Sequence, residues 1–190
     1  MTKLFDVLLA ATFALSAVRL GLRDGLAAKV SGGLQLAVAL AFAFRTPERR
    51  AAGWKDLAGA LPSLLVAGVT VQAAADQQWP AVSLALISVG ALVSVGALVS
   101  LGRSFAVLPG VRTLKTHGLY RVVRHPLYLG ESFVFAGAAL VLGPWGAVAA
   151  AVLVPLLAWR ITVEERLLAA EPGWAEWAAR VRWRLVPFVW

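Results

Sequence analysis

The sequence predicts an all-α, multi-span transmembrane protein with five or six helical spans, and three observations carry that prediction. Hydrophobic residues make up 60% of the 190 and charged residues only 15%, against about 45–50% and about 25% in a soluble domain. The mean hydropathy is +0.78, and the apolar residues gather into six stretches, 4–22, 30–44, 58–75, 81–101, 126–142 and 145–160. Each approaches the roughly 20 residues that a bilayer crossing needs. The segments between them sort by charge. Lipid offers backbone groups no partner outside a helix or a closed barrel, so spans of this kind are helices.

Residues 1–23 could be taken for a signal peptide, but no A-x-A-type site stands before a polar region and a second apolar stretch follows at once. The expectation is a retained first span. The second stretch runs into a basic segment, 45–57, with Arg45, Arg49, Arg50 and Lys55, whereas the third ends in a turn, 76–80, without Lys or Arg. The fourth contains two identical hexapeptides, VGALVS, at 89–94 and 95–100. A six-residue period does not match the 3.6 residues of a helical turn, so the repeat lays no single face. Its small residues Gly90, Ser94, Ala97 and Ser100 predict close packing on a neighbouring helix.

Segment 102–125 carries Arg103, Arg112, Lys115, Arg121 and Arg124 and no acid, the 143–146 turn carries no Lys or Arg, and the C-terminal part carries Arg160, Arg166, Arg180, Arg182 and Arg184. The positive-inside rule places these three basic segments in the cytoplasm, and with six spans both termini as well. Arg23 and Lys29 then fall outside, a mild violation. The net charge of +8 reads as attraction to anionic membrane lipid and not to nucleic acid, because the basic residues sit at the ends of apolar stretches. Pro172 and Gly173 break the last long helix. Trp174, Trp177, Trp183 and Trp190, set among charges, predict an interfacial tail.

With no cysteine, no disulfide, thiolate nucleophile or Cys-ligated zinc is available. His117 and His125 are the two histidines, too few for a His-based metal cluster, so no metal is expected.

The densest polar sequence is 113–131. Pro126 suits the first turn of a helix and sets Arg124 and His125 at its N-terminus, while Gly118 permits a turn with positive φ. Tyr120 and Tyr128 are the only tyrosines in the chain. Further on, Arg160 and Glu164 are four apart and share a helix face. The fifth and sixth stretches form legs of roughly 24 Å at 1.5 Å per residue. The chain therefore returns to its starting depth, and His125 and Tyr128 should face Arg160 and Glu164. Polar clusters beside lipid tend to mark function. From spacing alone, charges snorkelling at the interface explain the same residues equally well.

The stretch Gly118-Leu119-Tyr120-Arg121-Val122-Val123-Arg124-His125-Pro126-Leu127-Tyr128-Leu129-Gly130 resembles the R-H-P-x-Y-x-G motif, preceded by G-x-Y, of the isoprenylcysteine carboxyl methyltransferase family, to which phospholipid methyltransferases are related. Glu164-Glu165-Arg166-Leu167-Leu168 resembles that family's E-E-x-x-L motif, in the same order and after a similar apolar hairpin. The tail from Trp174 to Pro187 is similar to the family's aromatic-rich ending. The likeness covers residues 101–190, a methyltransferase core of 102–190 behind N-terminal helices in 1–101, all within one membrane domain.

The resemblance implies S-adenosylmethionine as cofactor. It implicates Arg112, Thr113, Leu114, Lys115, Gly118, Tyr120, His125, Pro126, Leu127, Tyr128 and Glu164 in binding it, in a cytoplasmic pocket formed by the loop before the fifth span and the C-terminal segment. Arg112-Thr113-Leu114-Lys115 departs from the family's usual histidine-led start of that loop. Glu164 suits the cofactor's ammonium, His125 or a loop amide its carboxylate, and a tyrosine face its sulfonium. Arg160 is associated with substrate. Transfer is a displacement in which positioning dominates. An ionised carboxylate or thiolate acceptor needs no base, whereas an amine or phenol does, with His125 or Glu165 as candidates. Glu131, one turn into the fifth span, is either a further base or a packing residue.

The expected activity is methyl transfer to a lipophilic small molecule or lipid, foremost a carboxylate of the isoprenylcysteine type. A phospholipid amine and a small thiol are the alternatives. A non-catalytic membrane protein that keeps the fold is the competing class. No G-x-G-x-x-G follows a strand, so a soluble Rossmann-type enzyme is not indicated.

Overall fold

The computed structural model describes residues 2–46, 50–51, 53–106, 110–111 and 113–190. Six long helices form a bundle: α1 (Thr2–Gly21), α2 (Leu26–Phe44), α3 (Trp54–Ala74), α4 (Ala81–Leu101), α5 (Pro126–Leu142) and α6 (Pro144–Leu168). Each holds one of the six apolar stretches. A short α7 (Trp174–Arg180) follows. By length and composition α2, α4 and α6 can cross a bilayer, while Val7–Gly21, Ala60–Ala74 and Pro126–Leu142 are shorter apolar helices.

One feature departs from the all-helical expectation. A two-residue strand β1 (Arg50–Ala51) pairs antiparallel with β2 (Gly110–Val111), Arg50 opposite Val111 and Ala51 opposite Gly110. The pair ties the α2–α3 connection to the α4–α5 connection. Beside it, the Thr46 amide and hydroxyl both donate to the Arg103 carbonyl, at 2.8 and 3.0 Å. The tail joins the same end of the bundle, because the Arg124 and His125 amides donate to the carbonyls of Trp183 and Arg184, at 2.8 and 2.9 Å. The three basic segments thus converge. At the opposite end Arg23, the expected charge violation, forms a 2.6 Å ion pair with Asp76 of the α3–α4 turn.

Helix α5 packs against α3, α4 and α6. Between hydrocarbon-bathed helices, close backbone approach replaces the hydrophobic effect as the main cohesive term. The α4–α5 seam shows this. A Cβ added to Gly90 would stand 2.6 Å from the Gly130 carbonyl oxygen, and one added to Gly130 would stand 2.7 Å from the Gly90 carbonyl oxygen. Gly90, Ser94 and Ala97 of the duplicated segment are buried here, as their size predicts. Leu92 and Val99 of the same helix point outward and are more than 70% exposed (74% and 77%), an apolar surface suited to lipid. A single residue, Gly143 at φ +56°, turns α5 into α6, and Pro144 opens the new helix. This tight hairpin sends α6 back alongside α5.

Candidate active site

The hairpin brings its two polar motifs together at the end where the basic segments gather. Tyr128, in the first turn of α5, donates a 2.5 Å hydrogen bond to Glu164 Oε2 on α6. One turn earlier on α6, the Arg160 guanidinium lies 4.5 Å from the Tyr128 ring centroid. The other neighbour of that ring is His125, stacked at 5.5 Å and 15°. Arg160 is 2% and His125 4% exposed, so neither is a snorkelling surface charge.

Tyr128, Glu164 and His125 border an open cleft. The loop before α5 contributes Thr113, Leu114 and Lys115, and the 3-10 turn Gly118–Arg121 contributes Tyr120. From α5 and its cap come His125, Leu127 and Tyr128, and from α6 Glu164 and Leu168. Of the residues implicated from sequence, Gly118 and Pro126 shape this cleft without lining it. Gly118, at φ +59°, sits on Ser100, whose hydroxyl is 2.2 Å from where a Cβ would be; Pro126 is buried at the start of α5. Arg112 lies outside the described residues.

Six lining residues, Leu101, Ser104, Ala106, Arg124, Leu168 and Trp177, were not among those implicated in cofactor binding. Trp177 belongs to the tail expected at the lipid interface. Instead Trp174 and Trp177 are buried, 8% and 3% exposed, in a core with Phe42, Phe105, Tyr120 and Leu127. The Trp177 indole N–H donates to the Tyr120 carbonyl at 3.1 Å, which holds α7 over the cleft. Burial, reinforced by the charges of Glu164 and Glu131, raises the Tyr120 phenol well above its ordinary pKa. A phenol deprived of water favours its neutral form.

Glu165, a candidate base from sequence, points away from the cleft opening into a cluster of basic groups. Its Oε1 accepts from Arg124 at 3.0 Å, its Oε2 accepts from Arg184 at 2.8 Å, and His125 Nε2 stands 3.4 Å from Oε1. Arg124 also donates to the Val181 and Ala178 carbonyls at 2.7 and 2.8 Å. Glu165 therefore fastens α6 to the start of α5 and to the tail.

A second cavity, about 160 Å³, lies between the helices and adjoins the first. Leu127 lines both. Its exposed wall is mainly apolar, with Ser31, Gln35, Ser63, Ser94 and Ser132 interspersed, and Arg160 and Glu131 stand at it 3.7 Å apart. Arg160 thus belongs to the chamber side of Tyr128, while Glu164 belongs to the cleft side. Among the described residues no group of three or more His, Cys, Asp or Glu side chains is placed to hold a metal ion.

Residues 79–171 match the phospholipid methyltransferase family. The match spans α4, α5 and α6, which carry most of the cleft lining, and agrees with the family relationship that the two motifs suggest. No curated protein matches the chain. The matched segment and the apolar helices support a membrane methyltransferase.

Proposed function

We propose that this chain, which carries a phospholipid methyltransferase domain over residues 79–171, transfers a methyl group from S-adenosylmethionine to a lipophilic acceptor held among its helices. The observation that carries the reading is the shared wall of the two cavities. Tyr128 faces a polar cleft on one side, and its ring covers Arg160 of an apolar chamber on the other.

The cleft residues fit the cofactor's chemistry. Glu164 offers a carboxylate to an ammonium, Lys115 a cation to a carboxylate, and Tyr128 an aromatic face to a sulfonium. Tyr120, Leu114 and Trp177 give an adenine ring flat apolar contacts. Thr113 continues this loop, and His125 positions Tyr128 by stacking. When bound, S-adenosylmethionine supplies a methyl carbon that a nucleophile displaces. The chain's own part is to align the two reactants and exclude water between them, where orientation alone is worth up to about 7–11 kcal/mol. Glu165 acts as a positioning residue, because both its oxygens are engaged.

The bundle spans the membrane with six helices, and the end that gathers the basic segments faces the cytoplasm. An apolar chamber buried among spans suits a lipid or prenyl tail. Arg160, which the resemblance associates with substrate, turns its charge toward Glu131 and Tyr128. A carboxylate acceptor of the isoprenylcysteine type would have to displace these contacts.

S-adenosylhomocysteine should stabilise the detergent-purified protein against heat, and Glu164→Ala or His125→Ala should abolish the shift. The absence of a shift at any cofactor concentration would remove the enzymatic reading in favour of a non-catalytic protein with this fold.

A further inference from the structure

We propose that the turn of residues 185–190 is a docking element for an anionic lipid surface, and that its attachment holds the tail against the head of α5.

The depth of the turn is set by α5. The amides of Arg124 and His125 donate to the carbonyls of Trp183 and Arg184, so residues 183–184 lie level with the first turn of that helix. Phe188 follows Arg184 by four residues and stays within roughly 14 Å of this level. Beyond Arg184 the chain closes on itself. The Leu185 and Val186 amides donate to the Trp190 carbonyl at 2.9 and 3.2 Å, and the Val189 and Trp190 amides donate to the Val186 carbonyl, both at 3.1 Å.

Two large apolar side chains stand at its tip: Phe188 is 86% exposed and Val189 77%. Phe188 has φ +66°, the one positive φ at a non-glycine position among the described residues, and such a backbone is uncommon for a bulky side chain. The aromatic residues of the tail divide into two groups. Trp174 and Trp177 are buried in the core. Trp183 packs on Phe188, ring centroids 5.2 Å apart, and the Arg184 guanidinium lies 5.4 Å from the Trp190 ring centroid. Tryptophan and arginine together suit the headgroup zone, where a ring meets acyl chains and a guanidinium meets phosphate.

Charge selects the kind of surface. Arg180, Arg182 and Arg184 precede the turn, and Glu176 is the only acid in 172–190. Arg180 and Arg182 are exposed. Basic residues beside inserted apolar groups favour anionic headgroups. A protein partner fits less well, because a stable interface takes roughly 20–30 residues from each side.

Docking acts on the cleft through the tail. The carbonyls of Trp183 and Arg184 cover the head of the helix that carries His125 and Tyr128, and Arg184 reaches Glu165 at 2.8 Å. Fixing 185–190 among headgroups limits the freedom of 183–184 to leave α5.

The chain has no cysteine, so Val189→Cys gives a single site for a spin label. The full-length protein is placed in nanodiscs of phosphatidylcholine, alone or with about 30% phosphatidylglycerol to supply anionic headgroups. In the anionic discs the label should be more accessible to oxygen, which concentrates in lipid, than to a water-soluble nickel chelate. Arg180→Gln combined with Arg182→Gln, carrying the same label, should reverse that ratio. Hydrogen exchange on the unlabelled chain reads the link to α5. The Arg124 and His125 amides should exchange about three-fold more slowly in anionic discs than in neutral ones, and the double variant should lose the difference. A label open to the chelate in both discs, or shielded from both reagents as contact with a second copy would leave it, overturns the docking. An oxygen preference that the double variant keeps overturns the selection for anionic lipid. Equal exchange of the two amides in both discs overturns the link to the cleft. Every readout is taken without cofactor, so the result stands apart from the methyl-transfer reading.

Discussion

Tyr128 and Glu164, 36 residues apart in sequence, are joined by a 2.5 Å hydrogen bond across the α5–α6 hairpin. The bond fixes the carboxylate on the cleft wall while the Tyr128 ring remains against Arg160 and His125. Tyr128→Phe deletes the donor and keeps the ring. A hydrogen bond to a charged group contributes about 1.5–3 kcal/mol to stability, so Tyr128→Phe should lower the unliganded melting temperature by several degrees and weaken S-adenosylhomocysteine binding. Unchanged affinity by calorimetry would show that Glu164 needs no anchor.

Glu165 should behave as a structural residue. Its side chain is 10% exposed and that of Arg124 15%, whereas Arg184 is 42% exposed. Removing one partner of a buried ion pair costs about 3–5 kcal/mol; a solvated pair contributes about 0–1 kcal/mol. Glu165→Ala should therefore lower the melting temperature strongly and Arg184→Ala only slightly. If Glu165→Ala instead keeps its stability and loses turnover alone, Glu165 takes part in chemistry.

Gly118 tests the seat of the cofactor loop. Alanine there meets a left-handed backbone, costing about 1–2 kcal/mol, and the Ser100 side chain as well. Gly118→Ala should destabilise the protein and weaken S-adenosylhomocysteine binding. Adding Ser100→Ala should recover part of the loss, with a coupling of about 1 kcal/mol in a double-mutant cycle. Strict additivity would mean that the two residues do not touch.

The Tyr120 phenol should stay protonated beyond pH 10. In Tyr128→Phe it is the only tyrosine left, so absorbance at alkaline pH reports it directly. Its raised folded pKa fixes the sign of the linkage. Above the ordinary value of about 10 the unfolded chain loses this proton before the folded one does, so stability falls as pH rises through that window. Tyr120→Phe should flatten that part of the stability curve. Ionisation at the ordinary tyrosine value in the folded protein would contradict the burial.

The bundle was legible because lipid imposes a simple rule: an uncharged apolar run of sufficient length is a helix. The helices overran some stretches. α6 continues to Leu168, well past the apolar run ending at 160, because Glu164 and Glu165 find partners beyond its lipid-like portion. The meeting of Tyr128 with Glu164 was legible from equal leg lengths. The division of labour between the two glutamates was not. Adjacent residues on a helix point about 100° apart, and which of them faces the cleft depends on where Arg184 arrives from the tail. Trp174 and Trp177 misled for a related reason. A tryptophan among charges suits an interface and a capping helix alike, and only the packing against Tyr120 distinguishes them.

The carbonyls of Trp183 and Arg184, which receive the amides at the head of α5, have a consequence for the cleft. Residues 181–184 follow α6 in the chain, so the head of α5 gains its cover only when the tail folds back across the hairpin. Without that cover Arg124 loses the Val181 carbonyl and Glu165 loses Arg184, one of three partners each. The cleft therefore depends on residues far along the chain from the hairpin that lines it, whereas, among the described residues, the chamber between the helices takes no lining residue from the tail.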